Sequence, residues 1–250
     1  MSLGRLISRK HLIVLGLNSG TSADGLDLAV LKIGSGREPI RMLAGHASRF
    51  PPAIRSLILR AADAAVISPE EIIALDNCLG RFMGDTAREF VHKQAARGIT
   101  VDLIGSHGQT VRHAPQTGRA AGYSVRGTMQ LGSLDHIAAA TGLVTVGDFR
   151  QADIALGGEG APITTGAMHR LFAVPGESRL IVNIGGMANY FYFPASRRHR
   201  PSARDCGPGN SLSDILAQRL FGKAYDHGGA ISASGEIREA PLKPLLKNLQ

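Results

Sequence analysis

Apolar positions first gather into two short runs, His11 to Leu17 and Leu28 to Ile33, joined by Gly20-Thr21-Ser22-Ala23-Asp24-Gly25-Leu26-Asp27. Two such runs about a Gly-, Ser- and Asp-bearing connection predict a β-hairpin. Pro51-Pro52 stops any strand before it, and Ile54, Leu57, Ile58, Ala61 and Ala65 then recur at helical spacing. A longer helix is predicted to start at Ser68, which can cap it, with Pro69 in its first turn and Glu71 completing a capping box. Ile72, Leu75, Leu79, Phe82, Met83, Phe90 and Val91 continue one apolar face, and Gly98 supplies a left-handed end.

Ile99 to Ile104 alternates and predicts a strand running into Gly105-Ser106-His107-Gly108-Gln109-Thr110, a polar segment at its C-terminal end. Ligands of open α/β sheets bind at such ends. Met129 to Gly132 predicts a second strand end, and Ser133 opens a helix through Ala140 that Gly142 closes. Leu143 to Val146 predicts a strand ending in Gly147-Asp148-Phe149-Arg150; a glycine-rich turn, Gly157 to Pro162, precedes a helix over 163–172. This alternation predicts an α/β fold with a mainly buried sheet. Pro175-Gly176 marks a boundary, giving domains at 1–176 and 177–250. Leu180 to Phe193 then repeats the opening pattern of strand, glycine turn and strand. The echo suggests two related lobes, each beginning with a phosphate-facing hairpin. Asp205-Cys206-Gly207-Pro208-Gly209-Asn210 reads as a stiff, open loop ahead of a helix from Ser211 to Phe221, capped by Asn210 and ended by Gly222. Gly228-Gly229 and a short C-terminal helix follow, so the second lobe is expected to lack strands that would complete its sheet.

Composition narrows the partners. The 250 residues can bury a substantial core as one large or two smaller domains, and no apolar run reaches the length of a membrane span. The basic Met1 to Lys10 leads into a strand pattern rather than a signal-peptide core. Two distant cysteines, Cys78 and Cys206, give neither a disulfide framework nor a zinc spacing, which places the chain in a reducing cytoplasm. A net charge of +8 favours an anionic partner. Nucleic acid is not expected: aromatic residues are only 5%, and the basic cluster Arg197-Arg198-His199-Arg200 reads as a solvated hairpin tip. Oligomeric state is left open, a homodimer included.

The turn at Gly20 to Asp27 has two readings, a polar hairpin loop and a phosphate grip. Its glycines allow close approach, its hydroxyls can donate to phosphate oxygens, and its carboxylates can hold a hydrated cation. It carries no P-loop lysine and no GxGxxG fingerprint. Carboxylates beside glycine turns, Asp24, Asp27, Asp148, Asp153 and Asp205, are candidates for acid–base work or simple turn residues. Asp205 stands out because a helix N-terminus, which favours anions, follows its loop. His107 and His113 lack a third ligand at metal spacing, so no protein-held metal is expected.

Taken together, Gly20 to Asp27, Gly105 to Val111, Gly147 to Arg150, Gly157 to Pro162, Asn183-Ile184-Gly185-Gly186 and Asp205 to Asn210 occur in the order and spacing of one family. From about Leu12 onward the chain resembles the anhydro-N-acetylmuramic acid kinases, which belong to the actin, sugar-kinase and Hsp70 ATPase superfamily. The resemblance implies two RNase-H-like lobes, ATP with Mg²⁺, and a sugar opened by water and phosphorylated on O6 in peptidoglycan recycling. It implies phosphate contacts from Gly20, Thr21, Ser22, Ala23, Asp24, Gly25, Leu26, Asp27, Asn183, Gly185 and Gly186. Asp205 would be the base that activates water, and Asp24 would assist catalysis and reach Mg²⁺ through water. His107, Gln109, Gln130, Asp148, Arg150, Gly158 and Gly160 would line the sugar pocket, with Arg150 facing the lactyl carboxylate. Two departures are visible. Gln151-Ala152 stands where the family continues with basic residues, and the glycine-rich adenosine motif and acidic closing helix do not appear. The alternative is a non-catalytic remnant or sugar-binding module of the same family.

Overall fold

The computed structural model describes residues 4, 6, 8–20, 22–34, 38–196 and 198–247, the side chains of 115–117 and 245–247 excepted. Thr21 and Arg197 lie outside the described residues. The chain divides into two compact units, Met1–Pro175 and Gly176–Gln250.

In the first unit, β1 (His11–Ser19), β2 (Gly25–Gly34) and β3 (Arg41–Arg49) form an antiparallel meander. β4 (Leu103–Ala120) lies parallel to β1 on its other side. β5 (Tyr123–Leu131) and β6 (Val144–Val146) both pair with β4, β6 parallel at its start and β5 antiparallel along the rest. Alternation sorts the meander's residues: Leu15, Leu17, Leu26, Leu28 and Val30 are buried against the helices. The helices there are α1 (Pro52–Asp63) and α2 (Pro69–Ala95). The capping box is present, with Glu71 N donating to Ser68 Oγ at 3.1 Å and Ser68 N to Glu71 Oε2 at 3.3 Å. The next helix, α3 (Leu134–Thr141), crosses close to α2, because a Cβ on Gly80 would lie 2.8 Å from the Ser133 carbonyl. Ser133 caps α3 and Gly142 ends it at φ +70°, as the sequence predicts.

Two expectations of the first unit are corrected. The strand predicted at Ile99 to Ile104 begins at Leu103 and continues through the polar segment to Ala120, because antiparallel β5 satisfies its backbone there. Phe149-Arg150 do not merely end a strand; they open a helix, α4 (Phe149–Ala155). After it, α5 (Thr165–Phe172) starts slightly later than the spacing suggested.

The second unit repeats the meander: β7 (Arg179–Ile184), β8 (Met187–Phe193) and β9 (Ser202–Pro208) are antiparallel neighbours. A helix, α6 (Asn210–Phe221), follows, then the short α7 (Ala230–Ala233) and α8 (Glu239–Lys247). The stretch around Asp205 is therefore strand rather than open loop, since β8 pairs with it through Asn189, Ala188 and Met187. Among the described residues no helix is long and apolar enough to cross a membrane.

Candidate active site

Parallel β1 and β4 bring two segments to the same end of the first sheet, where Ser19 is level with Gln109. β1 there gives way to the turn that leads to Gly25. A cavity of about 390 Å³ opens on this turn, walled by Asn18, Gly20, Ser22, Asp24 and Asp27 and, from β3, by Ser48 and Arg49. Gly25 is required by the fold: a Cβ would lie 2.3 Å from the Ser48 carbonyl. Asp24 is exposed and has Arg55 at 3.7 Å. Two residues of this stretch are core rather than ligand groups. Ala23 and Leu26 are 0% and 1% exposed: Leu26 shares the strand face of Leu28 and Val30, and Ala23, in the turn before β2, packs into the same core. Arg49 was not singled out from sequence; Arg41 to Arg49 is largely exposed and shows no apolar alternation that would mark a strand.

A second group of side chains meets where β4 changes neighbours. β6 leaves β4 at Gly105 and β5 joins it at Gln109, so Ser106, His107 and Gly108 face a gap on that edge. An extra residue on β4 relative to β1 bulges the strand here, with Gly108 at φ +72°. Arg150, on α4 just beyond β6, donates from Nε to His107 Nε2 at 3.0 Å and from Nη1 to the Gly160 carbonyl at 2.6 Å. His107 Nδ1 lies 3.0 Å from the Gly108 carbonyl, so the network assigns the neutral tautomer with its proton on Nδ1. Burial holds the His107 imidazole below its ordinary pKa and Arg150 acts in the same direction, against the Gly108 hydrogen bond. Burial also lowers the Arg150 pKa.

The glycine turn beyond α4 is wrapped onto that helix. Gly160 N donates to Asp153 Oδ2 at 2.8 Å, Gly158 N to the Asp153 carbonyl at 2.9 Å, and Arg126 of β5 to the Gly157 carbonyl at 3.2 Å. Asp153 is thus a fastening carboxylate, and the role of Arg126 carried no sequence signal because β5 is mostly exposed. Gln130 donates to Thr110 Oγ1 at 3.1 Å and Thr128 Oγ1 at 2.7 Å, leaving its buried Oε1 without a protein partner. Asp148 is exposed at φ +57° directly before α4 and makes no capping bond. The structure therefore joins His107, Arg150 and Gly160 in one hydrogen-bonded group, while Gly158 is fastened to Asp153 in the same glycine turn. Gln109 departs from its expected place in an open pocket: it is 1% exposed, with its amide spent on the interior.

In the second unit, Asn183 and Asn189 face each other across the β7–β8 hairpin, and Asp205 on β9 is level with Asn189. The exposed Asp205 carboxylate sits beside this hairpin. The helix N-terminus that follows Asp205 does not keep its first amides free. Asn210 N donates to the Gly185 carbonyl at 2.7 Å and Ser211 N to the Gly186 carbonyl at 3.2 Å, so the hairpin has already taken these amides. Asn210 is the first residue of α6 rather than its cap, and Gly209 makes no side-chain cap. No group of three or more His, Cys, Asp and Glu that could hold a metal occurs among the described residues.

A family model described as anhydro-N-acetylmuramic acid kinase matches residues 12–249. The chain is similar to an anhydro-N-acetylmuramic acid kinase of Synechococcus elongatus, 40% identical over 234 residues, covering 90% of this chain and 59% of that protein. A Coxiella burnetii relative of the same name is 35% identical over 232 residues, covering 93% of this chain and 60% of its own. The chain thus spans about three fifths of the length of the curated relatives it matches. A solved Ppx/GppA family member from Aquifex aeolicus aligns at TM-score 0.38 and 10% identity over 85% of this chain and 56% of that one, which carries no argument. All six linked motifs fall inside the matched range, and the chain belongs to the anhydro-N-acetylmuramic acid kinase family.

Proposed function

We propose that this chain is an ATP-dependent phosphotransferase that hydrolytically opens 1,6-anhydro-N-acetylmuramic acid and phosphorylates its O6, yielding N-acetylmuramic acid 6-phosphate. One observation carries the reading beyond family membership. The turn cavity and the His107–Arg150 group both lie where β1 and β6 end beside β4, at the last residues of their parallel pairing with it in a single sheet. A phosphate donor and an acceptor sugar need such adjacent sites, because phosphoryl transfer is catalysed mainly by positioning and charge stabilisation.

The turn from Gly20 to Asp27 takes phosphates of ATP, with Ser22 donating and Arg49 balancing charge at the cavity wall. Mg²⁺ suits this place, since it binds through one or two carboxylates, waters and phosphate oxygens; Asp24 would hold it through water, and it would supply charge neutralisation for the transferred phosphate. Asn183, Gly185 and Gly186 are assigned further phosphate contacts. His107, Gln130, Asp148, Arg150, Gly158 and Gly160 are assigned to the sugar, where the unpartnered Gln130 Oε1 can accept from a hydroxyl. The remaining Arg150 donors suit the lactyl carboxylate. Asp205 takes a proton from water as the water oxygen bonds C1 and the C1–O6 bond breaks. O6 keeps that electron pair and attacks the γ-phosphorus as the bond to ADP breaks.

The repeated antiparallel meander supports the finer reading of two RNase-H-like lobes, 1–176 and 177–250. Free Cys78 and Cys206 support a cytoplasmic location. Calorimetric titration with MgATP, followed by an assay for the 6-phosphate, tests the proposal. Asp205→Asn is expected to abolish turnover while retaining MgATP binding. Unaltered turnover would remove Asp205 from the base role, and absence of MgATP binding by the parent would remove the kinase reading.

A further inference from the structure

Gln109 belongs to the polar segment that carries His107, yet its side chain turns away from solvent and is 1% exposed. Ser19 Oγ, itself 4% exposed, donates to Gln109 Oε1 at 2.5 Å. Gln109 Nε2 donates to the Gly20 carbonyl at 3.2 Å and to the Thr110 carbonyl at 3.1 Å. Both ends of the amide are satisfied, so the burial costs little, whereas an apolar replacement would take the acceptor from the buried Ser19 hydroxyl and one of two donors from the Gly20 carbonyl.

The direction of the Gly20 carbonyl is the important point. Gly20 lines the turn cavity, and it also accepts from Ala23 N at 3.1 Å. An anion is bound by N–H groups and repelled by carbonyl oxygens, so a phosphate-receiving turn must direct its carbonyls elsewhere. Gln109 holds this one toward the interior. It reaches the turn from β4, two residues beyond His107, so the same strand segment fixes the turn and presents the imidazole.

We propose that Gln109, aided by Ser19, is a positioning residue that fixes the phosphate turn relative to the His107–Arg150 group and does not contact the sugar. The inference rests on the phosphotransferase reading only for its functional consequence; the geometric part stands on the free protein. It replaces the sugar-pocket role that the family resemblance implies for Gln109.

The test compares the parent with Gln109→Leu, which nearly keeps volume and removes all three bonds of the amide, and with Ser19→Ala, which removes one bond and leaves Gln109. Hydrogen exchange of peptides covering 18–24 is read against peptides within Pro69–Ala95. Both variants are expected to speed exchange in the turn while the helix is unchanged. The dissociation constant for MgATP is expected to rise about tenfold in Gln109→Leu, with that for the anhydro sugar within about twofold of the parent. A raised sugar constant with unchanged turn exchange would make Gln109 a sugar contact and overturn the proposal. If the parent binds no MgATP, the phosphotransferase reading fails separately, and turn exchange decides: unchanged exchange in Ser19→Ala overturns the positioning role. Should Gln109→Leu not fold, Ser19→Ala carries both measurements.

Discussion

His107 illustrates how one side chain is set by its neighbours. Its Nδ1–H donates to the Gly108 carbonyl while Nε2 accepts from Arg150, so a second proton would have to displace the Arg150 N–H. Its pKa in the folded chain lies below the ordinary value, burial being the largest cause. As pH falls below about 6.5, the unfolded chain takes up a proton at this histidine that the folded chain resists. Stability from this group is therefore full above about pH 6.5 and is lost as the medium becomes more acidic. The thermal midpoint of the parent is expected to fall more between pH 7 and 5 than that of His107→Gln. Parallel midpoint curves for the two proteins would show that His107 is not protected as described. At Gln109 the family resemblance implied a sugar contact, whereas burial gives its amide to Ser19 and Gly20.

Local elements carry much of their own specification. Ser68-Pro69-Glu71 determines a helix start without tertiary help, because the capping groups lie within one turn of each other. Asp205 to Asn210 shows the opposite case: its Gly-Pro-Gly run suggests an open loop, yet β8 supplies a ladder partner and makes it strand. The second hairpin is tied to the start of α6 by backbone bonds from Gly209, Asn210 and Ser211 and by the Asn210 amide on the Ile184 carbonyl, and Gly209 permits this approach. A Cβ there would lie 2.3 Å from the Gly185 carbonyl, so the two must separate. Gly209→Ala is expected to cost about 1–3 kcal/mol, the range for forced overpacking. It should also speed amide exchange over 183–190, and unaltered exchange there would show that the hairpin does not depend on the helix start.

For the whole molecule, the two units differ in how they use apolar residues. The first buries a continuous cluster from Leu15 to Ile137 between sheet and helices. The second leaves Leu180, Val182 and Ile184 of β7 at 60%, 52% and 63% exposed, with Leu220 and Phe221 of α6 also exposed. Apolar surface of this extent should bind anilinonaphthalene sulfonate with a rise in fluorescence. Replacing Val182 and Ile184 together by Thr should reduce that signal and leave the thermal midpoint nearly unchanged, as for other exposed positions. A large fall in the midpoint would mean that these side chains are packed. The sequence by itself determined the α/β alternation, the capped long helix, the boundary near Pro175 and the family motifs, because periodicity, caps and glycine turns act within a few residues. Only the tertiary structure decided that β4 exchanges β6 for β5 beside His107 and that Gln109 faces Gly20. It alone withdrew the α6 amides into the second hairpin. These depend on which strands become neighbours, and pairing between residues about ninety positions apart, such as Ser19 and Gln109, leaves no local pattern to read.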